Sequence, residues 1–124
     1  MKVLVVEENS AVRRVIRQLV TSPGTWIQEC ADSANAIAAY AAGRADFVVM
    51  DVGLKDPDGI VATKQIKAMD PAAKIVLVSD YDDAALRENA RHAGACGYVL
   101  KDNLLEVAEL LREVSRIGTR DRGD

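Results

Sequence analysis

The chain is poor in the residues that build covalent or metal-held scaffolds. Of its 124 residues only two are cysteine, Cys30 and Cys96, far apart in sequence, and the single histidine, His92, has no cysteine or second histidine near it. This excludes a disulfide framework and a Cys/His metal site of recognisable spacing. It leaves both cysteines as small buried residues and His92 as a surface residue. Cationic runs are missing too. The 16 Lys and Arg face 19 Asp and Glu, a formal net charge of -3, so direct nucleic-acid binding is not expected of this chain. No apolar stretch approaches the ~20 residues of a membrane span, so no membrane association is expected. Met1-Lys2 leads into an apolar run too brief for a signal peptide. No internal repeat, linker or low-complexity block interrupts the chain. What is present is enough hydrophobic residue, 49%, for the core of one domain in a reducing, cytoplasmic setting.

That hydrophobic residue is arranged in short continuous runs. Val3–Val6, Thr25–Cys30, Phe47–Asp51, Ile75–Ser79 and Tyr98–Leu100 read as strands. Phe47-Val48-Val49-Met50 has no polar residue before Asp51, the pattern of a strand buried on both faces. Between the strands the period is helical. Asn9-Ser10 caps a helix carrying Ala11, Val12, Val15, Ile16, Leu19 and Val20 on one face and Arg13, Arg14 and Arg17 on the other. Asp32-Ser33 caps an Ala-rich helix through Ala34, Ile37, Ala38 and Ala41 that Gly43 ends. A third helix spans Ile60 to Met69, and a polar-faced fourth spans Asp80 to His92. A fifth, capped by Asp102-Asn103, carries Leu104, Val107, Leu111 and Val114. Strand and helix alternate five times, which predicts an α/β fold with a parallel sheet covered on both faces. Residues 1–118 form the domain, and 119–124 are expected to be a charged, disordered tail.

Four strands end on residues able to do chemistry: Glu7-Glu8, Asp51, Ser79 and Lys101. In a parallel sheet those ends share one edge, where open α/β sheets bind ligands. Carboxylates gathered there repel unless a cation lies among them. Hard oxygen ligands suit Mg²⁺, which is often held by one or two carboxylates together with phosphate oxygens and water. Ser79 and Lys101 suit a phosphoryl group, one by hydrogen bonding and the other by charge. Asp51 between them is then the natural nucleophile.

The acidic pair after the first strand, Asp51 before its Gly-rich turn, Ser79, and the run Gly94-Ala95-Cys96-Gly97-Tyr98-Val99-Leu100-Lys101 resemble the receiver domain of two-component response regulators. Tyr98-Val99-Leu100-Lys101-Asp102 is most like receivers that precede a helix-turn-helix output domain. The resemblance implies a doubly wound, flavodoxin-like (βα)5 fold of strand order 2-1-3-4-5. It implies that Asp51 accepts a phosphoryl group from a histidine kinase or phosphotransfer protein. Mg²⁺ would be held by Glu7, Glu8, Asp51 and the Gly53 carbonyl. Ser79 and Lys101 would contact the phosphoryl oxygens, and Ser79 and Tyr98 would switch the surface of helix four, strand five and helix five toward an effector protein or a second copy. Without the resemblance, Tyr98 reads as a half-buried edge aromatic.

The chain departs from the family pattern at several places. Glu8 stands where Asp is usual, which predicts weakened or rearranged Mg²⁺ binding with Glu8 ahead of Glu7 as direct ligand, to be followed through Trp26 fluorescence. Leu54-Lys55 replaces Met-Pro. Asp80 replaces a small residue, either as a charge opposing the phosphoryl group or as the cap of helix four. Asp102 replaces a proline, so the Lys101–Asp102 bond should be trans. These departures keep open a pseudo-receiver that works without phosphorylation. An Asp-nucleophile phosphohydrolase is disfavoured, because Gly53 stands where its acid/base Asp is needed. A flavodoxin-like cofactor protein is weaker still, because Glu7-Glu8 stands where a phosphate-cradling loop belongs.

Overall fold

The computed structural model describes residues 1–123, with side chains described through residue 116. Five parallel strands alternate with five helices: β1 (Lys2–Val6), α1 (Ser10–Val20), β2 (Trp26–Cys30), α2 (Ser33–Ala42), β3 (Phe47–Asp51), α3 (Gly59–Met69), β4 (Ile75–Ser79), α4 (Ala84–Ala93), β5 (Gly97–Leu100) and α5 (Leu105–Gly123). The sheet order is β2-β1-β3-β4-β5, as expected. β3 and β4 are buried along their whole length, which explains their unbroken apolar sequence.

Strand side chains alternate between two cores. Val3, Val5, Phe47, Val49, Val76, Val78 and Val99 pack under α1 and α5, against Ile16, Val20, Val107 and Leu111. Leu4, Val6, Val48, Met50, Ile75 and Leu77 pack on the other side, against Tyr40 of α2, Ile66 of α3 and Ala90 of α4. Helices therefore cover both faces of the sheet.

Several local expectations are corrected, and of the apolar face read for α1, Ala11 and Val15 are exposed. Asp80 does not cap α4: the helix starts at Ala84, and Asp83 accepts the Leu86 N–H. Asp102 and Asn103 lie in a 3-10 turn, Lys101–Asn103, ahead of α5. Cys96 is exposed and Cys30 only half-buried, so neither is the buried filler expected. α2 buries Ser33, Ala36 and Tyr40 rather than the alanine positions read from its sequence. The expected tail at 119–124 lies outside the residues whose side chains are described, and the α5 helix is assigned through Gly123. No helix among the described residues is long and apolar enough to cross a membrane. The Lys101–Asp102 bond is trans, since Asp56–Pro57 is the only cis peptide among the described residues.

Candidate functional site

The register of the sheet brings the polar strand ends to one rim. Asp51, the last residue of β3, lies beside Val78, one residue before Ser79 at the end of β4. Ser79 in turn pairs with Leu100, one residue before Lys101. Glu7 follows β1, the other neighbour of β3, and keeps to the sheet through its N–H, which donates to the Cys30 carbonyl at 3.0 Å.

Lys101 closes the arrangement. Its Nζ lies 3.2 Å from Asp51 Oδ1 and 3.3 Å from Glu7 Oε2. Glu7 is 2% exposed and Asp51 7%, so two carboxylates and one ammonium share a nearly dry recess. The Gly53 N–H also donates to Asp51 Oδ1, at 3.0 Å. Burial, and next the Asp51 charge, raise the Glu7 carboxyl above the usual carboxylate range, with Lys101 pulling the other way. Burial works against the Lys101 ammonium, but Asp51 and Glu7 outweigh it and hold the group above the usual lysine value. Glu7 Oε2 is buried with no hydrogen-bond partner although Lys101 is near. A buried carboxylate oxygen without a donor is an acceptor that a hard cation satisfies.

Of the pair after β1, the structure turns Glu7 into the recess and leaves Glu8 exposed, the reverse of the emphasis read from sequence. Among the described residues no group of three His, Cys, Asp or Glu side chains gathers as a metal site. A cation here would rest on Glu7, Asp51 and backbone or water oxygens.

Ser79 is buried, and its hydroxyl accepts the Tyr81 N–H at 3.1 Å. Tyr98 is half-buried; its hydroxyl donates to the Tyr81 carbonyl at 2.7 Å, and the Arg87 guanidinium lies 4.8 Å over its ring. The Ser79 and Tyr98 side chains therefore both engage Tyr81, in the loop between β4 and α4. His92 is exposed and paired with Glu88, as expected of a surface residue.

Arg13 is a residue the sequence did not single out. Read as the outer face of α1, it instead reaches back so that Nη1 donates to the Glu7 carbonyl at 2.7 Å, while Nε pairs with Glu29 at 3.3 Å. Its place one turn inside a helix that starts directly after the acidic pair was the available signal. Trp26, by contrast, opens β2 at the opposite end of the sheet, about 13 Å from Cys30 along the strand, and 63% of it is exposed. It is badly placed to report on this recess.

Comparison with known proteins agrees with the geometry. The family described as "Response regulator receiver domain" matches residues 3–114. "Chemotaxis protein CheY" of Thermotoga maritima is 30% identical over 117 residues, 93% of this chain and 98% of that protein. "DNA-binding transcriptional activator DevR/DosR" of Mycobacterium tuberculosis is 31% identical over 119 residues, 94% of this chain but 54% of that protein. A two-component response regulator of the LuxR family from Aurantimonas sp. SI85-9A1 superposes with a TM-score of 0.79 at 28% identity, covering 99% of this chain and 98% of that one. With a matching fold and a family match over almost its whole length, the chain belongs to the receiver domains of two-component response regulators.

Proposed function

We propose that this receiver is a phosphorylation switch. Asp51 accepts a phosphoryl group from a histidine kinase or phosphotransfer protein in the cytoplasm, and the surface of α4, β5 and α5 then changes its affinity for an effector protein or a second copy. The observation that carries this reading is the Lys101 ammonium, 3.2 Å from Asp51, at the mouth of a recess that four strand ends converge on. Asp51 Oδ1 takes the contacts from Gly53 and Lys101, which leaves Oδ2 to attack phosphorus. Lys101 then meets the charge that develops on the transferring group, and Ser79, whose oxygen accepts from the Tyr81 N–H, keeps its own O–H to donate. The Tyr98 hydroxyl, bonded to Tyr81, links the same loop to the α4–β5 surface.

The test is mass spectrometry of the intact chain after incubation with a small phosphodonor and Mg²⁺. One phosphoryl group is expected on the wild type, and none on Asp51→Ala. An unmodified wild type, or equal labelling of both, favours the pseudo-receiver reading, which the exposed Glu8 and the Asp80 contact to Lys101 support.

Mg²⁺ fits the recess: Glu7 Oε2 lacks a partner, Asp51 is adjacent, and the Gly53 carbonyl follows two residues on. When bound, the cation supplies charge neutralisation for the phosphoryl oxygens. Glu7→Gln is expected to weaken Mg²⁺ about tenfold or more, and Glu8→Gln less than about twofold. A titration followed by the Gly53 amide resonance measures both, and the reverse ranking would overturn the assignment of Glu7.

A further inference from the structure

Lys101 has a third carboxylate neighbour. Asp80 Oδ2 lies 3.8 Å from its Nζ, and the Asp80 side chain is 67% exposed, on the solvent side of the recess. Asp80 is not spent on the fold. Asp83 caps α4, and Ser79 Oγ takes the Tyr81 N–H across the turn that carries Asp80. The steps through the shared ammonium put Asp80 Oδ2 no more than about 7 Å from Asp51 Oδ1. An anionic donor approaching Asp51 from solvent therefore meets a negative charge that also holds part of the Lys101 field.

We infer that Asp80 is a specificity-determining residue. It discriminates among phosphodonors by charge, so that this receiver draws on phosphoramidate-type donors, with a P–N bond, in preference to acyl phosphates. The inference rests on Asp51 being the phosphoacceptor. In either reaction an Asp51 oxygen forms a new O–P bond as the donor bond breaks, and the leaving group takes the electron pair. Acetyl phosphate releases acetate. Phosphoramidate releases ammonia, its nitrogen already carrying the protons. Near neutral pH acetyl phosphate is a dianion, whereas the ammonium of phosphoramidate cancels one of its two phosphoryl charges. A phosphohistidine with a protonated ring resembles phosphoramidate in both its bond and its charge. One fixed carboxylate at this range, screened between surface and bulk water, is worth about three- to tenfold in rate per unit of donor charge.

The experiment compares phosphoramidate and acetyl phosphate as donors for the full chain with saturating Mg²⁺, reading phosphorylated Asp51 by mass. Wild type, Asp80→Asn and Asp80→Glu are used, with urea midpoints confirming that all three fold alike. Asp80→Asn should speed acetyl phosphate about three- to tenfold more than it speeds phosphoramidate. Asp80→Glu should keep the wild-type ratio. An unchanged donor ratio in Asp80→Asn overturns the inference while leaving the phosphoacceptor reading in place. Labelling of Asp51 by neither donor, in wild type or variant, overturns both.

Discussion

Gly59→Ala is expected to destabilise the domain by about 3 kcal/mol, at the upper end of what overpacking a filled interior does. For a domain of this size that lowers the urea midpoint by roughly 1–2 M. The cause is steric, not conformational. A Cβ at position 59 would stand 2.1 Å from the Asp51 carbonyl oxygen, 2.8 Å from its carbon and 2.9 Å from the Val52 Cα. All three are backbone atoms, so no rotamer change relieves the contact. Gly59 also donates its N–H to the Val52 carbonyl at 3.1 Å, which pins the start of α3 against the end of β3. Forcing the two apart moves the residue that carries the candidate phosphoacceptor, so phosphorylation should fall with stability. Gly43→Ala is the control. Its Cβ would meet only the end of the Lys2 side chain, at 3.2 Å, and that side chain can swing away. Its midpoint should shift by less than about a third as much. Equal losses at the two positions would mean that the β3–α3 junction yields more than its backbone packing allows.

The same junction illustrates what the sequence made legible. Phe47 to Met50 is apolar without interruption because β3 is central and covered on both sides, and a run of that kind followed by a turn cluster has few other readings. The convergence of Glu7, Asp51 and Lys101 was legible for the same reason, since parallel strands deliver their last residues to one edge. Helix phase was less legible where alanine dominates. Alanine is at home on either side of a helix, so the buried face of α2 is set by Tyr40, whose hydroxyl donates to Asp70 at 2.6 Å, a partner thirty residues away that no local pattern reveals. The start of α4 was obscured by three cap-competent residues, Asp80, Asp82 and Asp83. The structure divides them: Asp83 caps, Asp82 pairs with Arg87 at 2.8 Å, and Asp80 turns to Lys101. The choice between Glu7 and Glu8 depended on the long-range ladder bond from Glu7 to Cys30 and on Arg13, which reaches back six residues to the Glu7 carbonyl.

Lys101→Met is expected to slow phosphorylation of Asp51 about a hundredfold, the usual consequence of removing one preorganised group that meets developing charge. It should also make stability fall more steeply with rising pH than in the wild type. Glu7 is already held above the usual carboxylate range by burial and by Asp51, and Lys101 is what limits that rise. Without the ammonium, the ionised form of Glu7 is disfavoured further. A carboxyl whose folded value is raised binds more protons folded than unfolded, so stability falls as pH climbs from the unfolded value, about 4.3, through the folded one. Lys101 itself, raised in the folded state, contributes stability that is fully present below the unfolded lysine value and is lost only as pH rises through its folded one. In EDTA the deficit of Lys101→Met should therefore already be present at pH 4, where Lys101's own contribution is lost, and grow toward neutrality as Glu7 ionises. There it should reach about 2 kcal/mol, less than for a fully enclosed pair because water reaches the rim. Adding Glu7→Gln to Lys101→Met should recover most of that loss, because the uncompensated buried charge is then gone. Urea unfolding of the four chains of this cycle, at pH 4 and pH 7, decides the matter. A deficit that is the same at both pH values, or that Glu7→Gln does not repair, would mean that Lys101 supports the rim by packing its stem, and that the charge balance between it and the two carboxylates is not what holds the recess in shape.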